Sequence, residues 1–163
     1  MRQVILDLCG GTASWSRPYI EAGYDVHIVD ALTTGEDVRL FTLPRNPVHG
    51  ILAAPPCTHF SQSGARWWKN KGDEALLAGL AIVDACLRII VASNPVWWAL
   101  ENPEGRLRRF LGAPTFIFNP NEFGNVWTKK TLLWGRFNPP KPSVVATEPT
   151  LGSWGHTDAP RAD

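Results

Sequence analysis

Apolar and polar positions alternate in two rhythms along the first hundred residues. Short apolar runs at Gln3–Leu8, Tyr24–Asp30, Val48–Ala53 and Val96–Leu100 each stop at an acid or a proline turn, and they predict β-strands. Between the first two, Ser14 or Ser16 is placed to cap a helix running to about Ala22, with Pro18 tolerated in its first turn and Gly23 closing it. A polar loop covers 58–72. Asp73-Glu74 then opens a long helix, with Leu76, Leu77, Leu80, Val83, Leu87, Ile90 and Val91 at helical spacing and Pro95 at its end. Strands alternating with helices predict an α/β fold with a mostly parallel, doubly wound sheet. Ligands of such sheets sit beyond the carboxyl ends of the strands, which here carry Asp7, Asp30, Pro55-Pro56-Cys57 and Glu101.

The second half is less regular. A short helix is expected over Arg106–Leu111, and strands over Thr115–Phe118 and Thr131–Trp134. Beyond Asn138 the chain is rich in proline, so 1–138 reads as one domain and 139–163 as an irregular tail. A length of 163 residues with 44% hydrophobic content fits a single folded domain and excludes a largely disordered chain. No run approaches the roughly 18 apolar residues of a membrane span, and Met1-Arg2-Gln3-Val4 leads straight into a strand, so neither a membrane partner nor a secretory signal is expected. Cys9, Cys57 and Cys86 show no CxxC spacing, which argues against a disulfide framework or a metal site and for a cytoplasmic, reduced protein.

Three segments carry candidate chemistry. In Asp7-Leu8-Cys9-Gly10-Gly11-Thr12-Ala13-Ser14, small residues let a ligand approach the backbone, and the following helix start offers free amides. Asp30 is placed to accept ribose hydroxyls, although a tight turn with a capping acid explains the same residues. A phosphate-loop NTPase is disfavoured by the missing Gly-Lys-Ser/Thr. In Ala54-Pro55-Pro56-Cys57-Thr58-His59, two prolines hold a cysteine at a strand end, either as an accessible nucleophile or as a buried structural thiol; His59 as its general base is the weaker reading. Cys9 and Cys86 read as structural. Glu101, after an apolar strand, is a proton donor if burial raises its pKa, and otherwise a solvated strand-end acid or a helix cap.

Together these segments resemble the catalytic domain of cytosine-C5 DNA methyltransferases. Asp7-Leu8-Cys9-Gly10-Gly11 is similar to the family's cofactor loop, Pro56-Cys57-Thr58-His59-Phe60-Ser61-Gln62-Ser63-Gly64 to its catalytic element, and Glu101-Asn102 to its Glu-Asn pair. Gly35-Glu36-Asp37-Val38 resembles the adenine-contacting element, and Lys129-Lys130-Thr131-Leu132-Leu133-Trp134-Gly135 the strand after the base pocket in phage-type members. The resemblance spans about 2–136 and implies a Rossmann-like fold that binds S-adenosyl-L-methionine. It implies Cys57 as the nucleophile at cytosine carbon 6, Glu101 as the group at N3 and Asn102 as the residue holding the catalytic loop. Cofactor contacts are implied for Asp7, Cys9, Gly10, Gly11, Ser14, Trp15, Asp30, Ala31, Asp37, Val38 and Pro55. The chain departs from the family in having Cys9 where an aromatic is usual and Ala13-Ser14 where Gly-Gly is usual, and in showing no target-recognition domain.

Charge adds a local hint of DNA. Formal net charge is only +1, yet residues 1–50 carry −2, 51–100 carry +1 and 101–163 carry +2. Arg66, Lys69 and Lys71 interleave with Trp67-Trp68 after Cys57, while Arg106, Arg108 and Arg109 follow Glu101. If both segments flank one cleft, Ser61, Arg66, Trp67, Trp68, Lys69, Arg106, Arg108, Lys129 and Lys130 form a rim that tracks phosphates and stacks on bases. The leading expectation is a minimal phage-type DNA cytosine-5 methyltransferase of a bacterial or phage-infected cell, with a partner subunit able to supply recognition. The alternatives are the same chemistry on single-stranded DNA, RNA or free nucleotide, and a degenerate fold acting as a nucleic-acid-binding or partner-binding module.

Overall fold

The computed structural model describes residues 2–143, so the expected tail falls outside the described residues from 144 onward. Along the chain run β1 (Val4–Leu8), α1 (Arg17–Glu21), β2 (Asp25–Val29), β3 (Val48–Ala53), α2 (Trp68–Ser93), β4 (Trp97–Pro103), α3 (Arg108–Leu111), β5 (Phe116–Phe118) and β6 (Thr131–Arg136). The six strands form one sheet in the order β2-β1-β3-β4-β6-β5. β1 pairs in parallel with β2 and β3, and β3 in parallel with β4, whereas β6 runs antiparallel to both its neighbours. Five strands therefore point one way and β6 alone is reversed. The chain leaves β1 for one side of the sheet and crosses to the other between β2 and β3, so a topological switch lies between β1 and β3.

Strands β1 and β3 are buried along most of their length, as expected for central parallel strands read as continuous apolar runs. One face of the sheet, with Leu6, Leu8, Ile51, Leu100 and Leu132, packs against Val83, Cys86, Ile89 and Ile90 of α2. The other face has less cover. Trp15, Tyr19, Leu52, Trp97, Ala99 and Leu133 line a hollow of about 630 Å³ there, with the five-residue α1 nearby.

Several expectations need correction. Leu77 and Val91 are 65% and 78% exposed and lie outside the core face, because a helix this apolar does not announce which side faces the sheet. α2 also begins earlier than Asp73: a first turn from Trp68 precedes a break at Gly72, whose φ of 69° only glycine adopts without strain. β4 continues through Glu101 and Asn102 to Pro103, held there by its pairing with β6. Ser16 is the N-cap of α1, but its hydroxyl donates to the Ala13 carbonyl at 3.4 Å instead of capping an amide. By length and composition alone, the Gln62–Ser93 stretch that includes α2 is apolar enough to cross a membrane, a test that core helices of folded domains also pass, and α2 packs its Val83, Cys86, Ile89 and Ile90 in the core.

Candidate active site and adjoining basic groove

The loop after β1 folds back on its own strand. The Cys9 amide donates to the Val29 carbonyl at 2.7 Å and the Ala13 amide to the Gly10 carbonyl at 2.9 Å. Three residues take positive φ in this short space: Cys9 at 58°, Gly11 at 51° and Ala13 at 59°. Beneath them, Asp7 is fully buried and neither of its carboxylate oxygens has a partner. Burial pushes its carboxyl above the usual range, with the nearby Ser16 hydroxyl acting in the opposite direction and the Asp30 carboxylate adding to the rise. Gly10 lies directly over this group: a Cβ there would sit 2.4 Å from Asp7 Cγ, so only glycine fits.

Asp30 closes the other side of the loop. Its Oδ2 accepts from the Gly11 amide at 3.1 Å, and its Oδ1 from the Leu32 and Thr33 amides at 3.0 Å each. Partial burial raises this carboxyl, but the amide donors of Thr33, Gly11 and Leu32 outweigh it and hold the pKa below the usual range. Oδ1 is saturated, while Oδ2 retains capacity for one more donor. The neighbouring Cys86 thiol holds Cys9 below its ordinary pKa, while Cys9 and burial push Cys86 up.

The remaining cofactor candidates are dispersed. Asp37 is paired with Arg39, whose Nε lies 2.9 Å from Oδ1, and this pairing pulls the carboxyl down to about 2. It lines a separate depression with Gly35, Glu36, Leu40 and Phe41. Val38 is buried in the core, Ala31 is exposed, Ser14 Oγ pairs with Thr12 Oγ1 at 2.8 Å, and Trp15 lines the hollow on the less covered sheet face.

Parallel pairing of Ala53 with Leu100 sets the chain leaving β3 beside Glu101. There the buried Asn102 donates from Nδ2 to the Pro55 carbonyl at 2.9 Å. Two residues on, the partly exposed Cys57 opens a 3-10 turn, Cys57–His59, and its carbonyl accepts the Phe60 and Ser61 amides at 2.8 and 2.9 Å. Burial pushes the Glu101 carboxyl up, with Lys129 acting in the opposite direction. His59 is pushed down by burial and by the cations Lys71 and Arg106, and its Nδ1 is buried without a partner. Its carbonyl, not its ring, carries its contact, accepting Arg106 Nε at 2.6 Å.

The segment after Cys57 is strapped to the segment after Asn102. Ser61 bridges Gly105, the Gln62 amide donates to the Glu104 carbonyl at 2.8 Å, and the Arg106 amide donates to the Phe60 carbonyl at 2.9 Å. Two depressions open along this strap. One, of about 560 Å³, is lined by Gln62, Trp68, Glu104, Gly105, Arg106, Arg108 and Arg109. The other, of about 580 Å³, is lined by Ser61, Gln62, Ser63, Pro103, Glu104, Thr128, Lys129 and Lys130. They share Gln62 and Glu104, so Arg106, Arg108 and Arg109 adjoin Lys129 and Lys130 along one surface, whereas Arg66 and Trp67 line neither depression. The Arg106 guanidinium stacks 4.8 Å over the Trp68 ring and that of Arg66 lies 5.2 Å over Trp67, while Lys130 pairs with Glu104 at 2.9 Å. Lys69 is exposed and lines neither depression. Sequence reasoning missed Gln62, Glu104 and Gly105. The available signal was the glycine, since a Cβ at Gly105 would come within 1.9 Å of the Phe60 carbonyl oxygen.

No protein-family model matches the chain. No curated protein matches it either. Among solved structures, the fold is similar to that of a protein described as a DNA modification methyltransferase encoded within a prophage (E. coli), with a TM-score of 0.55 and 17% identity. The similarity covers 82% of this chain and 46% of that one, so this chain spans less than half the length of that neighbour.

Proposed function

We propose that this chain is a methyltransferase core that modifies DNA at carbon 5 of cytosine, with residues 1–138 as its catalytic unit. The observation that carries this reading is the buried tie from Asn102 Nδ2 to the Pro55 carbonyl, which holds the Cys57 turn to the strand bearing Glu101. The likeness to a protein described as a DNA modification methyltransferase supports the class of reaction.

Carbon 5 of cytosine is too weak a nucleophile to attack a methyl donor unaided. In the proposed reaction the Cys57 thiolate adds its electron pair to carbon 6, and the ring becomes an enamine nucleophilic at carbon 5. Glu101, whose burial favours its protonated form, donates to N3 as negative charge develops there. Once carbon 5 carries the new methyl group, it loses its proton to a base, and the returning electrons expel the Cys57 thiolate. Asn102 holds the loop that carries the thiol and touches no reacting atom. A base stacked inside a duplex cannot offer carbon 6 to sulfur, so the cytosine is presented outside the stack.

The methyl donor of this reading is S-adenosyl-L-methionine. The residues present fit it: Asp7 offers a buried carboxylate with no partner beneath a loop that Gly10 keeps open, and Asp30 Oδ2 has room for a further donor. In this reading Asp7, Cys9, Gly10, Gly11 and Asp30 hold the donor, and it supplies the methyl group.

The test uses methyl-labelled S-adenosyl-L-methionine with duplex DNA, single-stranded DNA, RNA and dCMP, together with DNA containing 5-fluorocytosine, from which the methylated adduct cannot lose a proton. Transfer to DNA and a covalent adduct that disappears in Cys57→Ser are expected. No transfer to any substrate, or an adduct unchanged in Cys57→Ser, overturns the reading.

A further inference from the structure

Trp127 is 46% exposed and its neighbour Val126 is 84% exposed, in a loop that leads directly into the Thr128–Lys130 wall of the groove. The chain that lines the same groove with Ser61, Gln62 and Ser63 runs on to Trp67, which is 50% exposed with the Arg66 guanidinium over its ring. Large aromatic surfaces left to water cost free energy unless a ligand covers them. Here two of them stand on separate segments, each next in the chain to a lining residue: Trp127 precedes Thr128 of the depression that carries Lys129 and Lys130, and Trp67 precedes Trp68 of the neighbouring depression that carries Arg108 and Arg109.

We propose that Trp127 is a base-stacking platform and that, with Trp67, it makes this groove a binding track for single-stranded DNA. Exposed indoles flanked by cations match a polyanion whose bases are unpaired: every base offers a π face, and the cations take the phosphates between. A duplex offers its phosphates to the lysines but keeps its base faces stacked away from both rings. The inference rests on the proposed function and deepens it, since a strand supplied unpaired requires no flipping from a helix.

The test is fluorescence anisotropy with a labelled single-stranded DNA 12-mer, the matching duplex and the matching RNA, at one fixed salt concentration and with no methyl donor. Single-stranded DNA is expected to bind more tightly than duplex or RNA. Trp127→Ala is expected to weaken single-strand binding at least about fivefold, the effect of removing one stacking platform, while Trp127→Phe restores most of it and duplex binding does not change. Unchanged thermal unfolding of Trp127→Ala separates this effect from loss of fold. Equal affinity of Trp127→Ala and the parent for single strands, or tighter binding of duplex or RNA, overturns the inference. The assay involves no chemistry, so Trp127-dependent strand binding in a protein that transfers no methyl group would sink the proposed reaction and leave the track standing.

Discussion

The side-chain amide of Asn102 spans 2.9 Å to the carbonyl of Pro55, joining strands β3 and β4 at the point where each gives up its candidate reactive group. Asn102→Ala leaves that buried carbonyl without a donor. The expected loss is about 1–3 kcal/mol of unfolding free energy, read by urea denaturation. Methyl transfer is expected to fall further than stability explains, because the Cys57 turn loses its anchor.

Gly105→Ala tests the strap on the other side of the turn. The new Cβ would collide with the Phe60 carbonyl oxygen, a backbone atom that cannot swing aside. A loss of about 1–3 kcal/mol is expected, as for overpacked positions in general. Gly64→Ala is the control: its nearest atom would be 3.9 Å away, and its thermal midpoint should stay close to that of the parent. Equal midpoints for the two variants would remove the strap from the account.

Asp7 gives stability a pH dependence of definite sign. Its folded-state pKa is raised by burial, so the folded chain holds a proton that the unfolded chain gives up near its ordinary pKa of about 4. Stability is then fullest below that pH and falls as pH rises through the raised folded value. Asp7→Asn cannot ionise and escapes this loss. It is expected to unfold at a higher temperature than the parent at pH 7, with the difference vanishing below about pH 4. A parent that is the more stable at pH 7 would show that donors such as the Ser16 hydroxyl outweigh the burial of the carboxylate.

Lys129 lines the groove, and no hydrogen bond or ion pair ties down its ammonium group among the described residues. Lys129→Gln is expected to weaken single-strand binding uniformly across sequences and to lower the slope of log affinity against log salt by about 0.7, the effect of one released counterion. An unchanged slope would place Lys129 off the phosphate path.

The strand ends were legible in the sequence because each apolar run stops at a residue of different chemistry: Asp7, Asp30, the Pro55-Pro56 pair and Glu101. The helix face of α2 was less so. Leu77 and Val91 share the spacing of Val83 and Ile90, and only packing against the sheet decides which are covered. Pairing of Gln62 with Glu104 joins positions far apart in sequence, and local pattern carries no trace of it. The Asp37–Arg39 pair is the opposite case: an acid two residues before a guanidinium was there to be read, and the two are paired.

Arg106 leaves an asymmetry within the basic groove. Its Nε is committed to the His59 carbonyl and its plane to the Trp68 ring, whereas Arg108 and Arg109 are exposed at the surface. In the proposed strand binding, Arg108 and Arg109 can therefore be exchanged step by step, each change altering affinity alone. A change at Arg106 would alter affinity and the posture of the cysteine turn together, so that position is less open to exchange than Arg108 or Arg109.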